Sequence, residues 1–179
     1  MHEIETKILE VDKEVIAKKL EELGAQETKN TRLIVDWYSP VGILNNEHPW
    51  YLRVRKTTDG KSEISWKSLP TIVGNTRQSH EINIDVSNFE STKQLFEAIG
   101  LVPYAHQEKD RHSFTLREWT FDIDTYPHMP TYLEIEGKSV EHIQEAITLL
   151  GLQSYESISE GERKLIEQKY SLDWSNMRF

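Results

Sequence analysis

The stretch HEIETKILEVD, residues 2–12, alternates charged and uncharged side chains over its first half. Glu3, Glu5 and Lys7 occupy every second position, and uncharged side chains fill the positions between them. Because successive side chains of a β-strand point to opposite faces, the stretch predicts a strand with both carboxylates and the ammonium on one face. Such a face meets either solvent or a shared interior.

The same alternation recurs along the chain. It is found in WYLRVRK (50–56), EISWK (63–67), RQSHEINID (77–85), EKDRHSF (108–114), WTFDID (119–124) and YLEIEG (132–137). In most of these segments the apolar residues take one parity and charged residues of one or both signs take the other, and in 108–114 Lys109 and Arg111 share one side. At least seven strands are therefore predicted to have one apolar face and one charged face.

Three amphipathic helices, each ending at a glycine, are predicted over 12–24, 87–100 and 139–151. In the second helix, Ser87 and Glu90 have the spacing of a capping box. Leu95, Phe96 and Ile99 form its predicted apolar stripe.

A fourth, shorter helix is predicted over 159–170, where Ser159 and Glu162 again have capping-box spacing. Trp37 is interpreted as a packing residue beneath the helices. The aromatic tail that follows the fourth helix is predicted to pack onto the strands.

Strands joined by short turns, with few helices and no linker rich in Pro, Gly or Ser, indicate one α+β domain over 1–179 with a mainly antiparallel sheet. If the sheet closes into an eight-stranded barrel with helices packed outside, the charged faces point inward. Unpaired buried charge is costly, so such an interior needs water, a metal or a charged ligand. If the sheet is open, these faces meet solvent, and alternation alone favours this second arrangement.

Composition narrows the function classes. The 179 residues are 37% hydrophobic and 28% charged, with no apolar run of the roughly 20 residues that a membrane span needs. The polar N-terminus predicts no leader peptide, and the absence of Cys predicts neither disulfides nor thiolate metal sites, as expected in the cytoplasm. The net charge of -9 argues against non-specific nucleic-acid binding, so a phosphate-rich partner requires a local basic pocket.

An ordered set of short motifs resembles the CYTH superfamily, also called triphosphate tunnel metalloenzymes. EIETK (3–7) is similar to the family's N-terminal Glu-x-Glu-x-Lys signature, and LRVR (52–55), SWK (65–67), a Glu-bearing strand, KDR (109–111) and EIE (134–136) follow in the family's order. The resemblance implies a closed eight-stranded antiparallel β-barrel, a tunnel lined by charged residues, with helices packed outside.

The resemblance also implies an enzyme, a divalent-metal-dependent phosphohydrolase that acts on triphosphate-containing substrates. These are inorganic tripolyphosphate and nucleoside or thiamine triphosphates. Two alternatives are a class IV-like adenylyl cyclase, which converts ATP to cyclic AMP and pyrophosphate, and a non-catalytic polyphosphate- or nucleotide-binding module. The expected cofactor is Mg²⁺ or Mn²⁺, and the expected partner is a small-molecule triphosphate. Neither a nucleic acid nor a membrane is expected as a partner, and a homodimer is left open.

Candidate site residues follow from the matched motifs. Phosphate oxygens prefer arginine and lysine, which gives the phosphate-binding set of Lys7, Arg53, Arg55, Lys67, Lys109 and Arg111. Mg²⁺ prefers carboxylates, which gives the metal set of Glu3, Glu5, Glu81, Asp124, Glu134 and Glu136. Lys67 and Glu5 are the catalytic candidates. Asn83 departs from the family pattern, since a second carboxylate is common at its position.

Overall fold

The alternating segments form the strands of a single sheet. A computed structural model of the protein describes residues 2–41, 50–73 and 75–179, with side chains described from Ile4 onward except that of Val73. The strands in these ranges are β1 (His2–Ile8), β2 (Gln26–Ser39), β3 (Trp50–Thr57), β4 (Ser62–Ser68), β5 (Thr71–Val73), β6 (Thr76–Val86), β7 (Val102–Leu116), β8 (Trp119–Thr125), β9 (Tyr132–Gly137), β10 (Ser157–Ile158) and β11 (Asn176–Met177).

The helices interrupt the strand order at four places within the described ranges. They are α1 (Lys13–Glu22), α2 (Phe89–Ala98), α3 (Val140–Leu149) and α4 (Glu162–Lys164), which continues into a π-helical turn, Leu165–Lys169. No helix in the part of the chain that the structure describes is both long enough and apolar enough to cross a membrane.

Eight of the described strands form a closed ring. The pairing order is β1-β9-β8-β7-β2-β3-β4-β6, and β6 pairs back to β1, so the ring has no free edge. All of these pairings are antiparallel. The fold class implied by the resemblance, α+β with a closed eight-stranded antiparallel sheet, is confirmed.

The N-terminal and third helices cover one side of the ring. Asp12 caps α1 by accepting hydrogen bonds from the backbone N–H groups of Glu14 and Val15. Both helices bury their apolar stripes against the outward side chains of β1, β8 and β9, including Phe121 and Ile135, in one cluster. Burial of these side chains leaves the opposite parity of each strand, which is the charged one, to face the inside of the ring.

The second helix differs from its prediction at the cap and along its stripe. Asn88, not Ser87, is the N-cap residue, and its side chain accepts from the Ser91 N–H at 2.8 Å. Phe96 is buried as predicted, but Leu95 is 57% exposed and Ile99 is 65% exposed. The predicted stripe was wrong at these two positions because the helix packs against β3 through the face that carries Phe89, Thr92 and Phe96.

The C-terminal segment does not form the predicted helix over 159–170. The α-helical turn begins only at Glu162, no side chain caps it, and it passes at once into the π-helical turn. Ser159 and Glu162 form no capping box, because the Glu162 carboxylate is held inside the ring. Further along, β11 pairs with β7 in parallel, so the tail does pack onto the strands.

Candidate functional site

The ring encloses a cavity of about 980 Å³. Alternate residues of the strands line it, as expected when one parity of each strand faces inward. Of the residues predicted from sequence, the structure brings the following together around this cavity: Glu5, Lys7, Arg53, Arg55, Lys67, Glu81, Lys109, Arg111, Glu134 and Glu136.

One predicted metal ligand, Asp124, lies outside the lining of the cavity. The Asp124 side chain has no exposed surface and lies behind Arg111 and Lys109 instead of lining the cavity. Asp122, two residues earlier, does line it. The Glu3 backbone pairs with Ser79, but its side chain lies outside the described residues, so its metal role stays a prediction.

Register brings opposite charges side by side on neighbouring strands. Lys7 of β1 is directly opposite Glu134 of β9, and its Nζ lies 2.9 Å from the Glu134 carboxylate. Burial alone would lower the pKa of Lys7, but the Glu134 and Glu5 carboxylates more than offset it and raise that pKa. Burial would likewise raise the pKa of Glu134, yet Lys7 and Arg111 hold it well below its usual value. Both groups are therefore charged at neutral pH.

Arg111 is the centre of a second cluster, on β7 and β8. Its guanidinium donates two parallel hydrogen bonds to Asp124, at 2.7 and 2.6 Å, and also pairs with Asp122. Its Nη2 lies 3.6 Å from Glu134. Although burial disfavours its charge, these carboxylates raise the pKa of Arg111 well above its usual value.

A third cluster lies across the ring, on β3, β4 and β6. Arg55 pairs with Glu63 at 2.7 Å, and Lys67 pairs with Glu81 at 2.7 Å. Arg53 lies 3.9 Å from the same Glu81. Close carboxylate contacts of this kind are those of a charged ammonium, which suits Lys67 to phosphate binding; its catalytic role stays a prediction.

Glu5 connects the third cluster to the first. Its carboxylate lies 3.2 Å from Arg77, 3.5 Å from Lys7 and 4.0 Å from Lys67. The charges of both signs therefore form a continuous lining, in which most cations have carboxylates as neighbours.

Glu162 is a site residue that sequence reasoning missed. Its carboxylate pairs with Lys109 and accepts hydrogen bonds from the hydroxyls of Tyr126 and Tyr132, both at 2.9 Å. Burial would raise the pKa of Glu162, but Lys109 and Lys7 hold it well below its usual value. The only signal in the sequence was the Ser-x-x-Glu spacing at 159–162, and that spacing pointed to a helix cap.

Gly161 lies close to the guanidinium of Arg77. A Cβ atom there would lie 3.1 Å from Nη1 of Arg77, so a side chain at this position would require the guanidinium to shift by a few tenths of an ångström. The C-terminal segment thus contributes to the cavity wall.

One part of the lining is apolar and aromatic. Leu33 and Trp37 of β2 and Tyr51 of β3 face the cavity together with Trp174 of the C-terminal segment. The prediction that Trp37 packs beneath the helices was wrong, because Trp37 lies on the inner face, where it packs against Trp174 at 5.5 Å between ring centroids. The guanidinium of Arg53 lies 5.3 Å from the Trp37 ring.

The donor set suits a divalent cation on grounds of charge. Burial, together with the carboxylates of Glu5, Glu134 and Asp122, raises the pKa of Glu136 to about 7. This surplus of negative charge is what a hard cation would neutralise. Within the described ranges, however, no three His, Cys, Asp or Glu side chains already converge on one point as metal ligands. Glu5, Glu134 and Glu136 are the residues that fit a metal best.

The lining can therefore hold a compact, highly charged polyanion together with a cation. Arginine forks and lysines supply hydrogen-bond donors for phosphate oxygens, and adjacent carboxylates supply oxygen ligands for a metal. A neutral or purely apolar ligand would supply no counter-charge to these side chains.

Several solved structures share this fold. The PH1012 protein of Pyrococcus horikoshii OT3 is 27% identical, with a TM-score of 0.71 over 86% of this chain and 94% of that chain. The PH1819 protein of the same organism is 17% identical, with a TM-score of 0.72 over 93% and 99%. HpAC1 from Hippeastrum, which has a dominant triphosphatase activity, is 14% identical, with a TM-score of 0.67 over 96% and 97%.

None of the curated proteins compared with the chain matches it significantly. A family model, that of the CYTH domain, matches residues 1–165. This match spans the whole ring of strands and reaches the segment that carries Glu162. The chain therefore belongs to the CYTH family.

Proposed function

We propose that the protein is a divalent-metal-dependent phosphohydrolase that cleaves triphosphate-containing substrates in the cavity of the ring. The observation that carries the proposal is the convergence of three arginines and two lysines, Arg53, Arg55, Arg111, Lys7 and Lys67, on one cavity that also carries carboxylates. Few ligands other than a polyphosphate are compact and also have enough negative charge to pair with all of these cations.

The cationic side chains would bind phosphate, and the carboxylates would bind the metal. Arg55 and Arg111 would hold phosphoryl oxygens through forked hydrogen bonds, and Lys7 and Lys67 would add point charges. Phosphoryl transfer depends mostly on positioning and on stabilising charge that develops on the phosphoryl oxygens, and a rigid ring of strands supplies both.

Glu5, Glu134 and Glu136 would hold Mg²⁺ or Mn²⁺. A bound divalent cation supplies charge neutralisation at the phosphates and lowers the pKa of a coordinated water. The other carboxylates keep the cationic side chains in place through the ion pairs described above.

An adenylyl cyclase is the second candidate, favoured by Tyr51 and Trp37 beside the cationic residues. Aromatic rings can stack on an adenine base, whereas inorganic tripolyphosphate has no group that would use them. Other proteins of this fold, from Vibrio parahaemolyticus and Bacillus halodurans, have been proposed as adenylate cyclases. HpAC1, with its dominant triphosphatase activity, supports hydrolysis instead.

One panel separates the candidates. The purified chain is incubated with tripolyphosphate, ATP or thiamine triphosphate and with Mg²⁺ or Mn²⁺, and phosphate, pyrophosphate and cyclic AMP are measured. We expect metal-dependent release of phosphate that is lost in Glu134→Gln and kept in Glu118→Gln, a carboxylate on the outer surface. Cyclic AMP with pyrophosphate would instead identify a cyclase. Tight binding without any product would identify a binding module.

A further inference from the structure

A β-bulge interrupts β2 near its start. The β2–β7 register shifts between Glu27 and Lys29, so that Glu27 is opposite Phe114, Lys29 is opposite Ser113, and Thr28 is the extra residue. A bulge of this kind changes which side chains of a strand point to each face, and bulges are common next to functional sites.

The bulge keeps one carboxylate out of the ring. Leu33 and Trp37, at odd positions of β2, face the cavity, so an unbroken strand would turn Glu27 inward as well. Instead Glu27 lies on the outside, where its carboxylate is 2.6 Å from His112. Lys29 has the parity of Leu33 and Trp37 and lines the cavity together with Thr28. The bulge thus removes a carboxylate from the inner face and leaves Lys29 as the first charged residue of β2 that lines the cavity.

Lys29 has charged neighbours of both signs in the lining. The positive charges of Arg55 and Arg111 act on its ammonium, as do the carboxylates of Asp122 and Glu63. The side chain is partly buried, so water screens these charges only in part.

The carboxylates of this region already have partners. Asp122 pairs with Arg111, and Glu63 pairs with Arg55. Within the described residues, Lys29 itself has no carboxylate within ion-pair distance and makes no hydrogen bond through its side chain. An ammonium beside two guanidinium groups without its own counter-ion is electrostatically unfavourable, and an anion bound between the three would relieve the repulsion.

We propose that Lys29 is a further substrate-contacting residue, whose ammonium binds a phosphate group of the polyanion alongside Arg55 and Arg111. The inference rests on the proposed function and adds a named residue to its phosphate-binding set. Substrate would then meet a triad of cations on β2, β3 and β7 at this side of the cavity.

Two substitutions test the role. Lys29→Met removes the charge and keeps the length of the side chain, and Lys29→Arg restores a cation. The affinity for tripolyphosphate is measured by calorimetry with Mg²⁺ present, and KM is measured by phosphate release. Lys18→Met on α1 is the matched control, because Lys18 is a highly exposed lysine on the outer surface.

We expect Lys29→Met to weaken tripolyphosphate binding and raise KM about tenfold, the loss of roughly one phosphate contact, with Lys29→Arg recovering most of it. An unchanged thermal unfolding midpoint would show that the fold is intact. If Lys29→Met binds tripolyphosphate as tightly as the wild-type chain, the inference is wrong.

The binding measurement separates this inference from the proposed function. Wild-type protein that binds tripolyphosphate without hydrolysing it, and loses affinity in Lys29→Met, would contradict hydrolysis and support the role of Lys29. Hydrolysis that is unaffected by Lys29→Met would support the proposed hydrolase activity and contradict the role of Lys29. No binding and no hydrolysis by the wild-type chain would overturn both.

Chemical labelling tests the contact between Lys29 and phosphate independently of enzyme activity. Burial, with the positive charges of Arg55 and Arg111, lowers the pKa of Lys29, so more of its amine is neutral near pH 8 than that of an ordinary lysine. We expect acetic anhydride to modify Lys29 faster than Lys18, as measured by mass spectrometry, and tripolyphosphate to protect Lys29 but not Lys18. Equal rates with and without tripolyphosphate would count against the contact.

Discussion

At the scale of single residues, the site consists of cationic side chains that ion pairs with carboxylates hold in position. Arg55 is an example: its guanidinium faces the cavity, lies among other positive charges and is oriented by Glu63 at 2.7 Å. Burial, followed by the charge of Arg53, lowers the pKa of Arg55, yet an arginine stays protonated throughout the neutral range. Its fixed charge and planar fork suit it to a phosphoryl group.

The first prediction concerns this arginine. Arg55→Ala should lower kcat/KM for a triphosphate about 10- to 100-fold, since a charge-assisted hydrogen bond contributes about 1.5–3 kcal/mol. Initial rates of phosphate release measure the effect. Arg32→Ala is the control, because Arg32 forms its ion pair with Asp110 on the other parity of the same sheet. Equal losses in both variants would indicate a general effect on the fold.

The second prediction concerns Glu136 and pH. Its pKa in the folded chain is raised to about 7 from an ordinary value of 4.5, so the folded state keeps this proton longer than the unfolded state. The resulting contribution to the free energy of unfolding is complete below pH 4.5 and is lost as pH rises towards about 7. Without divalent metal, Glu136→Gln should therefore lose less stability than the wild-type chain between these pH values.

Chemical denaturation at a series of pH values measures this difference. Other groups titrate in both proteins, so the comparison between them isolates Glu136. Glu21→Gln, at an exposed position of α1, should keep the wild-type pH dependence. Parallel curves for wild type and Glu136→Gln would show that the carboxyl group is not perturbed by its neighbours.

At the scale of secondary-structure elements, the alternation of charged and apolar residues was enough to predict most of the strands of the ring. Alternation located most of the strands, because their charged side chains point to the inside of the ring and most of their apolar side chains point to the outside. The first residues of β2, QETKN at 26–30, are all polar and carry no alternation of apolar and charged residues that would predict a strand. Closure itself could not be derived from alternation, since an open sheet with a solvated face has the same pattern.

The missed site residues share one physical reason. Lys29 lies in an all-polar stretch of β2 without alternation, so its inward direction follows only from the pairing with β7, which is distant in sequence. Glu162 faces inward because Lys109, Tyr126 and Tyr132 bind its carboxylate, and those contacts outweigh a local cap. Both positions are set by tertiary contacts that a local pattern does not contain.

The third prediction concerns the C-terminal segment. Glu162→Gln keeps the shape of the side chain but removes its charge, so that, among the described residues, Lys109 would keep Asp124 alone as an ionic partner. We expect the free energy of unfolding to fall by about 1–3 kcal/mol, as for other buried polar groups that lose a partner. Urea denaturation measures it.

Glu160→Gln is the matched control for this change. Glu160 lies two residues earlier in the same segment and is exposed, so its stability effect should be within about 0.5 kcal/mol of zero. Comparable destabilisation by both changes would mean that the segment, and not the buried carboxylate, determines the result.

At the scale of the whole molecule, a chain of net charge -9 encloses a cavity in which both signs are concentrated. In the free protein these charges largely satisfy one another, as in the pairs Lys7–Glu134 and Lys67–Glu81. A polyanion that bound alone would take the cations and leave carboxylates without partners. A divalent cation that bound alone would take the carboxylates and leave the lysines and arginines unpaired. Either event separates buried ion pairs, which is costly.

The fourth prediction is therefore that metal and polyanion bind with positive coupling. Each ligand supplies the counter-charge for the groups that the other ligand displaces, so saturating Mg²⁺ should increase the affinity of the wild-type chain for tripolyphosphate by at least about tenfold, within the usual range of coupling energies. Titration calorimetry with and without Mg²⁺ measures the ratio. Mg²⁺ also binds tripolyphosphate in solution, so the decisive comparison is with Glu134→Gln. This variant lacks the carboxylate that lies between Lys7 and Arg111, and it should lose most of the coupling. The control Glu118→Gln should keep the coupling. A Mg²⁺ effect of equal size in all three proteins would place its origin in solution and would contradict a cavity in which the two charge sets depend on each other.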